Sequence, residues 1–288
     1  MYDLILVDFS WIYNKYYYVA KVKPHLHKSE MTQEALNLQV LDMLNRLFKL
    51  IRGSYPSAHI LMALDPPTNS TKNFGLCSDY KQNRNKEEKK EVYSAFREIV
   101  GKLSKKLDNK FCFVRAEGYE ADQVIAFLAE KYQKRNVLIF SGDKDLLQLT
   151  YYPNVDISDK YEKGIFLIKT DEEIFSKFKN SKNEDFTRIS NNKRDILKYR
   201  VLKGDTSDNL GPVFPRIKDS EIVSIVKDYW VDEEELTEAR INDILDDIEG
   251  DNKALADKLR ESKETWLRNY KIMNLYNLGN VCLKKVRA

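Results

Sequence analysis

Three short apolar runs in this chain lead into aspartates, and that pattern restricts the fold more than any other feature. Leu4 to Val7 runs into Asp8, and Ile60 to Leu64 runs into Asp65. Val137 to Phe140 is followed by Ser141 and Gly142 and then by Asp143, with Asp145 two residues on. Continuous apolar runs of this length suit strands buried on both faces, as in a parallel sheet covered by helices. Ligands of such sheets gather at the carboxyl ends of the strands, which is where these aspartates fall. In extended backbone, residues two apart point to one side, so Asp143 and Asp145 are expected to leave their strand side by side. A capping role would explain any one of these acids. Their recurrence is what points to a site.

Read in order, the chain alternates strands with helices. After Asp8 a loop through Pro24 and His27 is expected, then a helix capped by Thr32, with Leu36, Val40, Leu44, Leu47 and Ile51 at helical spacing. Pro66 and Pro67 stop the second strand. Phe111 to Val114 reads as a third strand, Gly118 as a turn, and Tyr119 to Lys134 as a helix with Glu120 and Asp122 in its first turn, where the helix dipole favours acids. A hairpin-like pair is expected over 151–169. Beyond it the pattern is helical over 172–178, 193–202, 220–229 and 254–278, with a loop over 180–192 and a frayed basic tail. The fold class is therefore α/β: a mostly parallel central sheet flanked by helices over 1–168, followed by a helical region over 169–288.

Charge is unevenly spread. From Val231 to Asp251 ten acids stand against Arg240, net −9 in a chain of net +3, so the remainder carries +12. That suits a polyanionic partner; the acidic stretch itself reads as a solvated face or a dock for a partner protein. From Asp79 to Lys110 ten basic residues face six acidic ones. This run reads as a surface helix or as a segment gripping phosphates, with Lys81 and Arg84 three apart and Tyr80 able to stack on a base. Cys77, Cys112 and Cys282 form no metal-binding or disulfide pattern and fit a reducing, cytoplasmic setting. No signal peptide or membrane-spanning run is read.

If the strands are parallel neighbours, Asp8, Asp65, Glu120, Asp122, Asp143 and Asp145 meet at one end of one sheet. Asp205 and Asp208, three apart in LKGDTSDNLGP, could join them. Like charges at close range raise one another's pKa, and bound divalent cations relieve them. Oxygen ligands without His or Cys select Mg²⁺, with Mn²⁺ able to substitute. Two such ions can activate a water and stabilise the leaving oxygen of a phosphodiester.

The stretches LVDFS, ALDPP, YKQNR, GYEADQVIAFLAEKY, FSGDKDLLQL and LKGDTSDNLGP occur in the order found in the structure-specific 5′ nuclease family, and the chain resembles that family over roughly its first three quarters. The family includes the 5′-nuclease domain of bacterial DNA polymerase I, flap endonucleases and phage 5′-exonucleases. YPNV and the lysine-rich helical end resemble the T-even phage ribonuclease H branch. The resemblance implies a PIN-like core with a helical arch at about 69–110 and a helical C-terminal DNA-binding region containing a helix-three-turn-helix. It implies a first metal cluster of Asp8, Asp65, Glu120, Asp122 and Asp143, and a second of Asp145, Asp205 and Asp208. Lys81 and Arg84 correspond to arch residues that contact the scissile phosphate, and Tyr80 to an arch aromatic. The implied activity is Mg²⁺-dependent 5′→3′ hydrolysis of DNA, RNA–DNA hybrids, nicked duplexes and 5′ flaps, serving primer removal in replication and repair. Single-strand-binding protein or a sliding clamp would be partners, and the expected enzyme is a monomer in the cytoplasm, the host's if the chain is phage-encoded.

Two positions depart from the family pattern. Gln123 stands where EADD is common. Pro212 and Pro215 replace the glycine-rich hairpin whose amides hold a duplex phosphate, which weighs against the family's potassium site and shifts duplex anchoring to Arg216 and Lys218. The competing readings are a PIN-type ribonuclease, which would normally be shorter and lack GDTSDN, and a DNA-junction binding protein of this fold without catalysis. Ser10 stands where a haloacid dehalogenase-type phosphatase needs its second Asp.

Overall fold

The computed structural model describes residues 1–22, 32–66, 71–82, 86–107, 109–160, 164–168, 173–174, 177, 192–232 and 234–286. Arg84, Pro67, the loop through Pro24 and His27, and most of the spans 172–178 and 180–192 lie outside the described residues. The chain groups into two units: Met1–Thr71 with Asn85–Ile168 and Leu275–Ala288, and Lys72–Arg84 with Lys169–Asn274. One boundary between these groupings falls between Ile168 and Lys169. The segment 72–84 groups with the helical region, and 275–288 groups with the sheet.

The first unit runs β1 (Leu4–Asp8), α1 (Phe9–Val22), α2 (Gln33–Ser54) and β2 (His59–Ala63). After α3 (Lys72–Leu76), which belongs to the other unit, come α4 (Lys86–Lys106), β3 (Phe111–Ala116), α5 (Ala121–Lys131), β4 (Val137–Phe140), β5 (Val155–Lys160), β6 (Phe166–Ile168) and β7 (Leu283–Val286). The sheet order is β6-β5-β4-β1-β2-β3-β7. The five strands from β5 to β3 are parallel, and β6 and β7 flank them antiparallel. The expected parallel neighbours are therefore present. Residues 283–286 of the tail expected to fray form instead an edge strand on β3, where backbone pairing orders them despite their lysines.

Helix α1 occupies part of the stretch read as a loop. Phe9, Ile12, Tyr13, Tyr16, Tyr17 and Ala20 repeat at helical spacing and are all buried. The ring of Phe9 meets Phe113 edge-on at 5.0 Å, and Tyr13 meets Phe96 edge-on at 4.9 Å. Burying side chains of this kind stabilises by about 1.5–3 kcal/mol each. Helix α2 starts as expected, with Thr32 Oγ1 accepting from Ala35 N at 3.2 Å. The basic run over 69–110 is not one gripping segment: Ala95, Ile99, Val100 and Leu103 bury the second half of α4 in the sheet unit's core.

The second unit is helical over Asp195–Lys203, Asp219–Ser224, Glu238–Asp251, Lys253–Arg260 and Lys263–Met273, with a π turn at Ile225–Tyr229. Trp230 and Trp266 are buried and meet edge-on at 5.6 Å. The single helix expected over 254–278 is broken at Glu261–Ser262, where Ser262 Oγ bonds back to Lys258 O at 3.1 Å. In the acidic stretch Arg240 pairs with Asp232 and Asp243, and Arg260 pairs with Asp246 and Glu249. Ile241, Ile244, Leu245 and Ile248 form the buried face of that helix. Among the described residues no helix is long and apolar enough to cross a membrane.

Candidate active site

Strand register builds the site. Val7 is level with Phe140, so Asp8 and Ser141, one residue further on each strand, are level with one another. Asp8 is also level with Ala63, two residues before Asp65. The chain runs from β1 outward through β2 to β3, then returns to the other side of β1 as β4. The gap between β1 and β4 is thus the topological switch point, where ligands of open α/β sheets bind.

Asp8 is 4% exposed and each of its oxygens is held: Oδ1 accepts from Trp11 N at 3.0 Å, Oδ2 from Ser141 Oγ at 2.8 Å. Ser141 Oγ also accepts from Asp143 N at 3.0 Å, and Asp143 Oδ1 accepts from Asp145 N at 2.9 Å. Lys144 between them is in the right-handed helical region and leads into the 3₁₀ helix Asp145–Tyr151. The two carboxylates therefore do not leave an extended strand side by side; Asp143 closes a turn onto the amide of Asp145. Gly142 is required by a close approach, because a Cβ there would lie 2.3 Å from Cζ2 of Trp11.

Asp65 is exposed at the end of β2. Its amide donates to Ser10 Oγ at 2.9 Å, and its Oδ1 accepts from Ala121 N, the first residue of α5, at 2.9 Å. That bond brings the β2 end to the start of α5. Glu120 is the buried N-cap of α5, and the half-buried Asp122 lies in its first turn. Gln123 Oε1 accepts from Glu120 N at 3.0 Å, so the residue that departs from EADD secures the turn carrying Glu120.

Burial opposes the charged form of Asp8. The Trp11 amide and Ser141 favour it, while Asp143 and Asp65 oppose it further, and the carboxyl is pushed up to about 7. Asp143 and Asp65 thus both act electrostatically on Asp8. Among the described residues no three acid, His or Cys side chains stand close enough to hold an ion as they are. The expected meeting of six or more carboxylates is reduced to this trio, with Glu120 and Asp122 beside Asp65. Asp143 and Asp65 each give one oxygen to a backbone amide. The donor set is all oxygen and carries excess negative charge, so a hard divalent cation fits its chemistry.

Asp205 and Asp208 lie in the second unit, on a tight loop. Asp205 and Leu210 exchange backbone bonds of 2.8 Å each way. Gly204 has φ +75°, and a Cβ there would lie 2.5 Å from the Gly211 backbone. Asn269, fully buried, donates to Val201 O at 3.0 Å and Gly211 O at 2.9 Å. Asp205 pairs with Arg200 at 2.5 Å and accepts from Ser207 N and Oγ at 2.8 and 2.7 Å. Burial disfavours its charge, yet Arg200 and the Ser207 donors outweigh burial and hold the carboxyl below the usual aspartate range. Asp208 Oδ2 stands 3.6 Å from Lys81 Nζ and accepts from Tyr80 OH at 3.3 Å, and Asp208 O accepts from Lys81 N at 2.9 Å. As they stand, both carboxylates have protein cations as partners.

Tyr80 corrects an expectation. It is 3% exposed and packs edge-on against Phe74 at 5.7 Å, so its ring is not presented to a base. Lys81 sits in left-handed backbone at φ 55°. Arg216, left-handed at φ 63°, and Lys218 are exposed on the loop before the helix Asp219–Ser224. Sequence reasoning missed Ser10, Trp11, Ser141 and Arg200. A signal existed for Gln123, since E-x-x-Q before an apolar run is a capping pattern. None marked the hydroxyls, whose roles depend on strand register.

A largely parallel α/β sheet with acids at the carboxyl ends of its strands is the arrangement in which α/β enzymes bind ligands at the switch point. The sequence model of the family described as 5'-3' exonuclease, N-terminal resolvase-like domain, matches residues 3–179, and the chain belongs to that family of nucleases. The 5'-3' exonuclease of Aquifex aeolicus is 30% identical over 241 residues, 82% of this chain and 71% of the relative. Among solved structures, the bacteriophage T5 5'-exonuclease with bound zinc ions superposes with a TM-score of 0.61 at 17% identity, over 95% of this chain and 89% of the other. A T5 flap endonuclease variant in a complex with DNA and metal ions superposes with a TM-score of 0.58 at 16% identity, over the same shares. At these identities the structures establish a shared fold.

Proposed function

We propose that the protein is a divalent-cation-dependent nuclease that removes nucleotides or short flaps from the 5′ ends of DNA and of RNA–DNA hybrids, as in primer removal. The observation that carries this is the Asp8, Asp65 and Asp143 trio at the switch point of a chain belonging to the 5'-3' exonuclease family. Asp8 and Asp143, with Asp65, Glu120 and Asp122 beside them, would hold the cation, with Mg²⁺ the natural ion for oxygen donors and Mn²⁺ a substitute. When bound, such a cation stabilises charge on a phosphodiester's leaving oxygen and acidifies an attacking water.

The chain's own residues do the rest. Trp11 N and Ser141 Oγ hold the Asp8 carboxylate in one orientation. Lys81, with Arg84, would meet the scissile phosphate, and Arg216 and Lys218 a duplex phosphate. Because Lys81 is paired with Asp208, reaching a phosphate requires an exchange of partners. The second-ion role of Asp205 and Asp208 is not part of this proposal. A place in the cytoplasm beside replicating DNA, with replication proteins as recruiters, follows from the substrate.

The test is cleavage of a 5′-labelled nicked duplex, a 5′-flap duplex and an RNA-primed duplex, in Mg²⁺ and in EDTA, with Asp143→Asn alongside. Metal-dependent release of short labelled products, absent in the variant, is expected. Tight binding without cleavage in Mg²⁺ or Mn²⁺ would replace this reading with that of a junction-binding protein.

A further inference from the structure

Ser141 is 1% exposed and its hydroxyl joins two candidate ligand residues. A serine hydroxyl has one proton to give and two lone pairs. The proton goes to Asp8 Oδ2 at 2.8 Å, and a lone pair takes Asp143 N at 3.0 Å. The position of Oγ is itself fixed, because Ser141 N donates to Ser158 O at 3.2 Å, which extends the β4–β5 ladder by one residue. On the next residue, Gly142 lies against the Trp11 indole, and the amide of Trp11 holds the other oxygen of Asp8. The carboxylate of Asp8 is thus gripped from β4 through one oxygen and from α1 through the other.

We infer that Ser141 is a positioning residue that sets the orientation of the Asp8 carboxylate relative to Asp143 and so prepares the pair for a divalent cation. This rests on the proposed metal-dependent reading. Partners behind metal-binding carboxylates typically contribute 10- to 100-fold to metal affinity. A hydroxyl whose only work was to cap the end of β4 would leave metal affinity unchanged when removed.

Mn²⁺ binding to the full chain, followed by the EPR signal of free Mn²⁺ without nucleic acid, reads this directly. Ser141→Ala is expected to weaken Mn²⁺ binding by about 10- to 100-fold. Ser141→Cys, close in volume but a weak donor, is expected to weaken it about tenfold and serves if the alanine variant does not fold. Ser141→Thr, which keeps the hydroxyl, is expected to restore affinity to within about threefold, a small part of the loss. Wild-type Mn²⁺ affinity in the cysteine or alanine variant overturns the inference, as does equal loss in all three variants. Wild-type protein that binds Mn²⁺ but cleaves no labelled substrate would sink the nuclease reading while leaving this one to the binding data. Cleavage that persists in EDTA with no Mn²⁺ bound would sink both readings, whereas metal-dependent cleavage by the wild type together with wild-type Mn²⁺ affinity in the alanine variant would sink this one alone.

Discussion

The acids at the end of the sheet and the acids of the 204–211 loop are the same residue type in similar-looking runs, SGDKD and GDTSD, yet their charge is balanced in opposite ways. Asp8 accepts from neutral donors, the Trp11 amide and the Ser141 hydroxyl, while Asp143 and Asp65 add like charge. Around Asp205 and Asp208 the chain brings Arg200 and Lys81. A cation from outside would relieve the like charges of the first group. The second has its cations built in and uses them to hold the loop and the 79–82 turn together, with Asn209 Nδ2 donating to Asp79 O at 2.9 Å as well. A pair of aspartates is therefore no site until its counter-charges are known.

The comparison breaks most sharply through activity. Asp143→Asn should lower cleavage by at least about a thousandfold, about 4 kcal/mol of transition-state stabilisation, with DNA binding largely kept. Equal loss of binding, read by fluorescence anisotropy, would count against the metal assignment.

Protonation is the next lever, and the two regions should titrate with opposite sign. The folded-state carboxyl of Asp8 lies at about 7 against an ordinary 3.8. The native state therefore holds an extra proton in that window, and stability in EDTA should fall as pH rises from about 4 to about 7. Asp205 is held below its ordinary value. Its contribution is present above an unfolded pKa near 4 and is lost as pH falls through the folded value. Urea denaturation across pH should show the first slope vanish in Asp8→Asn and the second shrink in Asp205→Asn.

The two tight glycines sharpen the contrast in rigidity. Gly204→Ala meets backbone and needs left-handed geometry, so about 3 kcal/mol or more of stability should be lost. Gly142→Ala meets only the Trp11 side chain, which can turn aside, and about 1 kcal/mol is expected. Comparable losses by urea denaturation would mean that the indole is as fixed as the loop. The smallest effects concern Lys81. Its replacement by alanine should slow cleavage about tenfold, about 1.4 kcal/mol. Its coupling to Asp208→Asn in a double-mutant stability cycle should be about 1 kcal/mol; additive losses would show that the pair does not hold the turn.

Much of the frame was legible because it rests on local pattern. The apolar runs at Leu4, Ile60, Phe111 and Val137 announce buried strands, and the acids at their ends announce a site. Helix α1 reads as loop in the sequence although Phe9, Ile12, Tyr13, Tyr16 and Tyr17 sit at helical spacing, because its aromatic richness and its position after a strand end hide it. What could not be read was pairing across the chain. Nothing in GDTSDN indicates that Lys81, more than a hundred residues earlier, is the counter-ion of Asp208, nor that Tyr80 is buried beneath that contact. Register made Ser141 a partner of Asp8, and register is set by two strands together. The break at Ser262 and the ordering of β7 are likewise tertiary outcomes that override local propensity.

The pairing of β3 with β7 also fixes an order of events. Lys284 meets Glu117 across 167 positions of sequence, and residues 283–286 lie against 113–116. During synthesis β3 leaves the ribosome with that edge bare, offering the unpaired amides and carbonyls that recruit foreign strands. It stays bare until residue 286 has been made, after all of the helical unit's residues. The final strand then closes the edge, and its exposed Lys284 and Lys285 discourage another strand from adding beyond it. The sheet that carries the acids is thus among the first parts of the chain to be made and among the last to be finished.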